Sequence, residues 1–64
     1  MPVAQITIIE GRSAEQRAAA MREVAEALSR TLDAPLGSVR VIINEVPAFH
    51  WSVGGVPKGQ PAQD

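Results

Sequence analysis

The sequence predicts a small α+β subunit in which two parallel strands are joined by one long helix and followed by a short C-terminal β-turn segment. Three observations support it: a β-branched run at the start, a capped run of helix-forming residues, and a second β-branched run. Strand, helix and strand in this order make a β-α-β unit with parallel strands and a right-handed crossover. At 64 residues the chain is expected to form a single domain, residues 1–64.

The first strand is predicted over residues 2–9, which are rich in isoleucine, valine and threonine. Because side chains alternate between the two faces of a strand, both faces here carry isoleucine or valine. This pattern is typical of a strand that is covered on both sides. Proline is tolerated at position 2 because the first residue of a strand needs no N–H for the ladder.

The helix is predicted over residues 14–32 and begins after Ser13. Ser13 and Gln16 have the spacing of a capping box, and good helix formers follow them. Pro35 disfavours helical geometry in the residue before it, so the helix is expected to end near residues 32–33. One apolar stripe recurs at helical spacing: Met21, Val24, Ala25, Leu28 and Leu32.

The second strand is predicted over residues 39–46, which are again rich in valine and isoleucine. Residues 47–56 contain many turn formers, and Gly54-Gly55 predicts a tight turn between two short extended pieces. The last segment, residues 57–64, holds Pro, Gly, Gln and Lys and is expected to be a loose tail.

A single helix covers only one face of a two-stranded sheet and leaves the apolar side chains of the other face in water. Such exposure costs on the order of 25 cal/mol per Å² of apolar surface. The chain has no cysteine for disulfides, and one histidine without clustered carboxylates gives no metal site. With 45% hydrophobic residues in so short a chain, the sequence predicts a homo-oligomer.

The composition disfavours several classes of partner. The formal net charge is −1 and charges of both signs are interspersed, so no nucleic-acid partner is expected. No apolar run approaches the roughly 20 residues of a membrane span, and no signal peptide is recognisable. We therefore expect a cytoplasmic protein without a membrane partner.

Pro2 is the first candidate for chemistry, because removal of Met1 turns it into a free secondary amine. A general base works best when its pKa lies near the operating pH. Apolar surroundings and nearby arginines both disfavour the cationic form and would lower the pKa of this amine. The alternative is that Pro2 only begins a strand.

Arg12 and Arg40 offer planar guanidinium groups suited to carboxylates. Arg12 lies at the opposite end of the first strand from Pro2. At about 3.3 Å per residue, the two are too far apart within one chain to share a small substrate. They can act on one molecule only if they come from different subunits or if the chain folds back. Alternatively, Arg12 is a solvated turn residue, and Arg40 forms a structural ion pair with Glu10 or Glu45.

His50 and Trp51 lie in the late, turn-rich segment beside the glycine pair. This placement makes them candidates for the wall of a pocket. The alternatives are a surface or hydrogen-bonded histidine and a tryptophan that serves only packing.

Taken together, these stretches resemble the 4-oxalocrotonate tautomerase family, also called the 2-hydroxymuconate tautomerases, the small-subunit type of the tautomerase superfamily. The likeness covers residues 2 to about 55, and the combination of its motifs at this length is specific. The matching stretches are Pro2-Val-Ala-Gln-Ile, Ile9-Glu-Gly-Arg-Ser-Ala-Glu-Gln16, Arg22-Glu-Val-Ala-Glu-Ala-Leu-Ser-Arg30, Leu32-Asp-Ala-Pro-Leu36, Ser38-Val-Arg-Val-Ile-Ile43 and His50-Trp51-Ser-Val-Gly-Gly55.

The resemblance implies a tautomerase-type β-α-β subunit, six of which pack as a trimer of dimers. It implies an isomerase that moves a proton in a small 2-oxo or 2-hydroxy dienoic acid such as 2-hydroxymuconate, within aromatic hydrocarbon catabolism. Pro2 would be the general base, moving a proton between the dienol hydroxyl and a carbon. Arg12 would bind the distal carboxylate and draw electron density along the chain. Arg40 of a neighbouring subunit would hold the 2-oxo group and its carboxylate, and neither a metal nor an organic cofactor is implied.

By the same resemblance, Trp51 lines the pocket and helps to keep the pKa of the amine low, and Ile9 and Ser38 contribute to substrate binding. The sequence departs from the family at Pro47-Ala48-Phe49 and after Gly55. Both departures lie where they can change substrate preference.

Two alternatives remain open at the level of sequence. The first is a dehalogenase or decarboxylase on the same scaffold, which needs an acidic residue to activate water and has only Glu10 or Glu45 as candidates. The second is a non-catalytic oligomeric domain in which Pro2, Arg12 and Arg40 are structural.

Overall fold

The computed structural model describes residues 1–60 and has the predicted order of elements. It confirms the predicted fold class, a β-α-β unit with a short C-terminal hairpin. Single turns of 3₁₀ helix stand on either side of the second strand. The elements are β1 (Val3–Ile9), α1 (Ala14–Leu32), a 3₁₀ turn (Leu36–Ser38), β2 (Arg40–Val46), a second 3₁₀ turn (Ala48–His50), β3 (Ser52–Val53) and β4 (Val56–Pro57).

The sheet consists of β1 and β2, which are parallel as predicted, with Val3 opposite Arg40 and Ile9 opposite Val46. The ladder extends past both ends of β1. The N–H of Arg40 donates to the carbonyl of Pro2 at 2.9 Å, and the N–H of Glu10 donates to the carbonyl of Val46 at 2.8 Å. The residues on either side of β1 are therefore also hydrogen-bonded to β2.

Helix α1 begins with the predicted capping box. The Ser13 hydroxyl accepts from the backbone N–H of Gln16 at 3.1 Å, and the Gln16 side chain accepts from the N–H of Ser13 at 3.0 Å. The helix ends at Leu32, where Asp33 adopts the left-handed conformation with φ 53°. Neither α1 nor any other helix within residues 1–60 combines the length and apolarity that crossing a bilayer requires.

Helix α1 covers one face of the sheet only. Ile6 and Ile8 of β1 and Ile43 of β2 lie on this side and are half-buried. Ile42 points the other way and is 45% exposed. We call this uncovered side of the sheet the open face, and it consists of Val3, Gln5, Thr7, Ile9, Arg40, Ile42, Asn44 and Val46.

The folded chain is thin and has no buried core within the residues that the structure describes. It measures 48 × 26 × 13 Å, and no residue among 1–60 is fully buried. Its radius of gyration is 15.1 Å, whereas a compact domain of this length is expected near about 11 Å. Its accessible surface of 4904 Å² likewise exceeds the roughly 4,000 Å² typical of a monomeric protein of this mass. The isolated chain therefore leaves apolar surface uncovered that a self-contained domain would bury.

The predicted glycine turn joins β3 to β4. Gly54 and Gly55 have φ of 59° and 84°, the left-handed pair that a two-residue hairpin turn requires. The hairpin continues past β4, because the N–H of Lys58 donates to the carbonyl of Trp51 at 2.7 Å. The segment predicted as a loose tail therefore begins with hairpin residues, since their hydrogen bonds hold them. Residues 61–64 of that segment lie outside the described residues.

We predict that Ser13→Ala lowers the free energy of unfolding by about 1 kcal/mol, because the substitution leaves the N–H of Gln16 without its side-chain acceptor. The measurement is urea unfolding followed by circular dichroism at one fixed protein concentration. Ser52→Ala is the matched control, since the Ser52 hydroxyl makes no hydrogen bond within residues 1–60. Equal unfolding free energies for the two variants would contradict the role of the cap.

Candidate active site

Five of the six predicted site residues of one chain fall into two groups at opposite ends of the sheet, and Trp51 belongs to neither group. Pro2, Ser38 and Arg40 lie at the amino ends of β1 and β2, and we call them the amino-end cluster. Ile9 and Arg12 lie at the carboxyl end of β1, and we call them the carboxyl-end cluster. From Pro2 to Ile9 the chain runs along β1, which separates the clusters by roughly 20 Å at about 3.3 Å per residue.

Pro2 is half-buried and is held by its carbonyl, which accepts from the N–H of Arg40 at 2.9 Å. Its nitrogen carries Met1, which is 83% exposed. Ser38 stands close in the chain to Arg40 and is half-buried, and its hydroxyl donates to the carbonyl of Pro35 at 2.7 Å. The main chain thus places the proline ring and the first residue of β2 side by side.

The Arg40 side chain is exposed and donates from Nη1 to the carbonyl of Gly37 at 2.9 Å. It forms no ion pair with a carboxylate among residues 1–60. The two structural pairs considered from the sequence are therefore not formed. Glu45 is an odd number of residues from Arg40 along β2 and faces the helix, and Glu10 lies at the opposite end of the sheet.

At the carboxyl end of β1 the chain turns through Gly11, whose φ of 131° suits a residue without a side chain. This turn opens two grooves. One, of about 390 Å³, is lined by Ile9, Glu10, Gly11 and Arg12. The other, of about 310 Å³, lies between the sheet and α1, where Arg12 and Arg17 meet apolar side chains that include Ile6 and Ile8.

The Arg12 guanidinium forms no hydrogen bond or ion pair with any residue among 1–60. It is exposed and stands at the rim of both grooves. The arrangement presents a free cation beside an apolar surface, which suits the carboxylate end of a small, otherwise apolar molecule.

Trp51 follows the second 3₁₀ turn and is half-buried. Its N–H donates to the carbonyl of Ala48 at 3.2 Å, and its carbonyl accepts from Lys58, so both sides of its peptide backbone are held. Gly59 packs against this turn so closely that a Cβ on it would lie 2.8 Å from the Cβ of Ala48. His50 is exposed and stacks edge-on against Phe49, with ring centroids 4.5 Å apart.

One further charged contact was not expected from the sequence. Arg17 of α1 donates from Nη1 to the carboxylate of Glu45 on β2 at 3.2 Å and also to the carbonyl of Arg12. A signal for it existed, because Glu45 shares the helix-facing side of β2 with Ile43 and an acidic group there needs a partner from the helix. The contact engages Glu45, one of the two residues considered for activating water.

Residues 2–60 match the model of a protein family described as tautomerase enzyme. A 2-hydroxymuconate tautomerase of Stutzerimonas stutzeri is 64% identical over 55 residues, which cover 86% of this chain and 87% of that protein. A 2-hydroxymuconate tautomerase of Pseudomonas putida is 58% identical over 57 residues, which cover 89% of this chain and 90% of that protein.

Solved structures show the same likeness. A heterohexameric 4-oxalocrotonate tautomerase of Chloroflexus aurantiacus superposes with a TM-score of 0.88 at 46% identity, covering 91% of this chain and 94% of that chain. A 4-oxalocrotonate tautomerase isozyme of Methylibium petroleiphilum superposes with a TM-score of 0.86 at 44% identity, covering 89% of this chain and 92% of that chain.

Proposed function

The chain belongs to the tautomerase family, and we propose that its substrate is a small 2-hydroxy or 2-oxo dienoic acid such as 2-hydroxymuconate. It is an enzyme, an isomerase that moves a proton within its substrate. The proposal of 2-hydroxymuconate is supported by the names of its relatives and by the cations of the two clusters. We further propose that it works without a cofactor and in the cytoplasm.

The observation that carries the proposal is that Arg12 and Arg40 lack an ion-pair partner in the described part of the chain. Arg17 and Arg22 pair with glutamates, whereas Arg12, Arg30 and Arg40 have no carboxylate partner among residues 1–60. Arg30 lies in the last turn of α1, so Arg12 and Arg40 are the two such arginines at the ends of β1 and β2. A guanidinium left free of protein carboxylates is available for those of a ligand. One such group from each end of the sheet, supplied by different subunits, would match a ligand that carries a carboxylate at each end.

We propose that Pro2, once Met1 is removed, is the general base. Its free amine takes the proton from the hydroxyl of the dienol, and the negative charge spreads through the conjugated chain to C3 and C5. The same nitrogen then returns the proton to one of those carbons, which yields the unsaturated 2-oxo acid. Arg40 holds the 2-oxo group and its carboxylate, and Arg12 holds the distal carboxylate, so both cations stabilise the dienolate as it forms.

Residues from more than one subunit are required for this site. The amino-end and carboxyl-end clusters of one chain lie too far apart to hold the same small molecule, so Pro2 of one subunit must meet Arg12 of another. The open face offers exposed valine and isoleucine for such an assembly. We propose a homohexamer, a trimer of dimers, in which Ile9, Ser38 and Trp51 line the shared pocket.

We predict that wild-type protein has a solution mass of about six times its 6.8 kDa subunit. Ile42→Lys places a charge at the centre of the open face and should dissociate the assembly, because burying an unpaired charge is unfavourable. Light scattering after size-exclusion chromatography measures the solution masses of wild type and Ile42→Lys. Ala18→Lys, at an exposed position of α1, is the control and should keep the wild-type mass. A monomeric wild type would contradict the shared site.

We predict that Pro2→Ala lowers kcat/KM for 2-hydroxymuconate by at least about 100-fold, the contribution of a positioned general base. Intact mass must first show that Met1 is absent from both proteins, since a retained Met1 makes the nitrogen of residue 2 an amide. Pro57→Ala, in the hairpin, is the control and should leave the rate unchanged. Full activity of Pro2→Ala, or of wild type that retains Met1, would rule out Pro2 as the base.

We predict that Arg12→Ala and Arg40→Ala differ in the substrates they affect. 2-Hydroxypenta-2,4-dienoate has the same dienol as 2-hydroxymuconate but lacks the distal carboxylate. Arg12→Ala should lower kcat/KM about 100-fold for the dicarboxylate, through loss of a charged hydrogen-bonded pair, and far less for the monocarboxylate. Arg40→Ala should impair both substrates.

The matched control for the arginine variants is Arg30→Ala, an exposed arginine in the last turn of α1. It should leave turnover of both substrates near the wild-type rate. The oligomeric mass of each variant is measured in parallel. If Arg12→Ala impaired the two substrates equally, its guanidinium would not be the group that binds the distal carboxylate.

A further inference from the structure

The contact between Arg17, Glu45 and the main chain of Arg12 has no part in the mechanism above. Arg17 lies in the first turns of α1, and its Nη1 touches both the Glu45 carboxylate, at 3.2 Å, and the Arg12 carbonyl. The side chains of Arg17 and Glu45 are each 31% exposed, so this pair is more enclosed than Arg22 and Glu26 on the outer surface of α1, at 64% and 51%.

The contact is the main tether of the turn that carries Arg12. On one side of this turn the ladder ends with the N–H of Glu10, and on the other side the capping box begins at Ser13. Between them, the peptide groups of Gly11 and Arg12 make one hydrogen bond with the described part of the chain, and Arg17 supplies the donor. The glycine leaves this stretch free to adopt other conformations.

The contact between Arg17 and Glu45 also leaves the Arg12 guanidinium without a carboxylate partner among residues 1–60. The Glu45 carboxylate and the Arg12 carbonyl touch the same nitrogen atom, so Glu45 lies within reach of the flexible Arg12 side chain. With Arg17 present, the negative charge of Glu45 is already neutralised. Without Arg17, Glu45 becomes an unpaired and half-enclosed carboxylate beside Arg12, and an ion pair between them is the favourable outcome.

We propose that Arg17 is a positioning residue that anchors the Gly11–Arg12 turn and engages Glu45, and thereby keeps the Arg12 guanidinium free for the distal carboxylate of the substrate. This inference rests on the proposed function of Arg12. Arg17 itself does not bind substrate, because its charge is balanced by Glu45. Both arginines line the same groove, and only one of them is available to an anion.

The test uses Arg17→Met, Glu45→Gln and the double variant, assayed with 2-hydroxymuconate and with 2-hydroxypenta-2,4-dienoate. Arg17→Met should raise KM for the dicarboxylate about tenfold, the size of one lost charged hydrogen bond. It should change kcat/KM for the monocarboxylate less than about twofold, since Arg12 does not act on that substrate. Glu45→Gln alone should have little effect, because Arg17 still holds the Arg12 carbonyl.

The comparison of the double variant with Arg17→Met is the decisive one. Removal of the Glu45 charge leaves Arg12 without a competing partner, so Arg17→Met/Glu45→Gln should recover part of the affinity lost in Arg17→Met. Arg17→Lys keeps the charge near Glu45 and should lie between wild type and Arg17→Met. Arg22→Met removes the arginine of the outer pair on α1 and should match wild type with both substrates.

The outcomes separate the inference from the proposed function. If Arg12→Ala affects the dicarboxylate selectively but Arg17→Met affects both substrates equally, or if the double variant is no better than Arg17→Met, the positioning role is wrong and the proposed function stands. If Arg12→Ala shows no selectivity either, the proposed function of Arg12 fails first. Loss of the oligomer in Arg17→Met alone would assign the contact to assembly instead.

Discussion

One helix cannot cover both faces of a two-stranded sheet, and most features of this subunit depend on that constraint. Helix α1 half-buries the isoleucines on its own side and leaves the open face in water. The resulting plate is only 13 Å thick and has no fully buried residue among 1–60. A chain of this shape gains little hydrophobic stabilisation by itself, because too little of its apolar surface leaves water when it folds.

The same plate-like shape distributes the functional groups. Parallel strands place Pro2 and Arg40 at one end of the sheet and Arg12 at the other. In a thicker domain a loop could fold back and bring such groups together. Here the two groups stay at opposite ends of the sheet. The charges of the arginines differ in a related way. The Arg17 charge is balanced by Glu45 within the chain, whereas Arg12 and Arg40 have no carboxylate partner among residues 1–60.

Features determined by neighbours in the chain could be predicted from the sequence. The capping box at Ser13, the end of α1 before Pro35 and the glycine turn at residues 54–55 all depend on contacts within a few positions, and the structure confirms each of them. The pairing of Arg17 with Glu45 could not be predicted in this way, because the two are 28 residues apart and meet only when α1 packs across β2.

The position of Pro2 in the ladder has a consequence for maturation. The carbonyl of Pro2 joins the sheet, and its nitrogen, which has no hydrogen to donate, does not. Cleavage of the bond to the exposed Met1 therefore removes no rung of the ladder. The pairing of β1 with β2 therefore does not depend on whether Met1 is present.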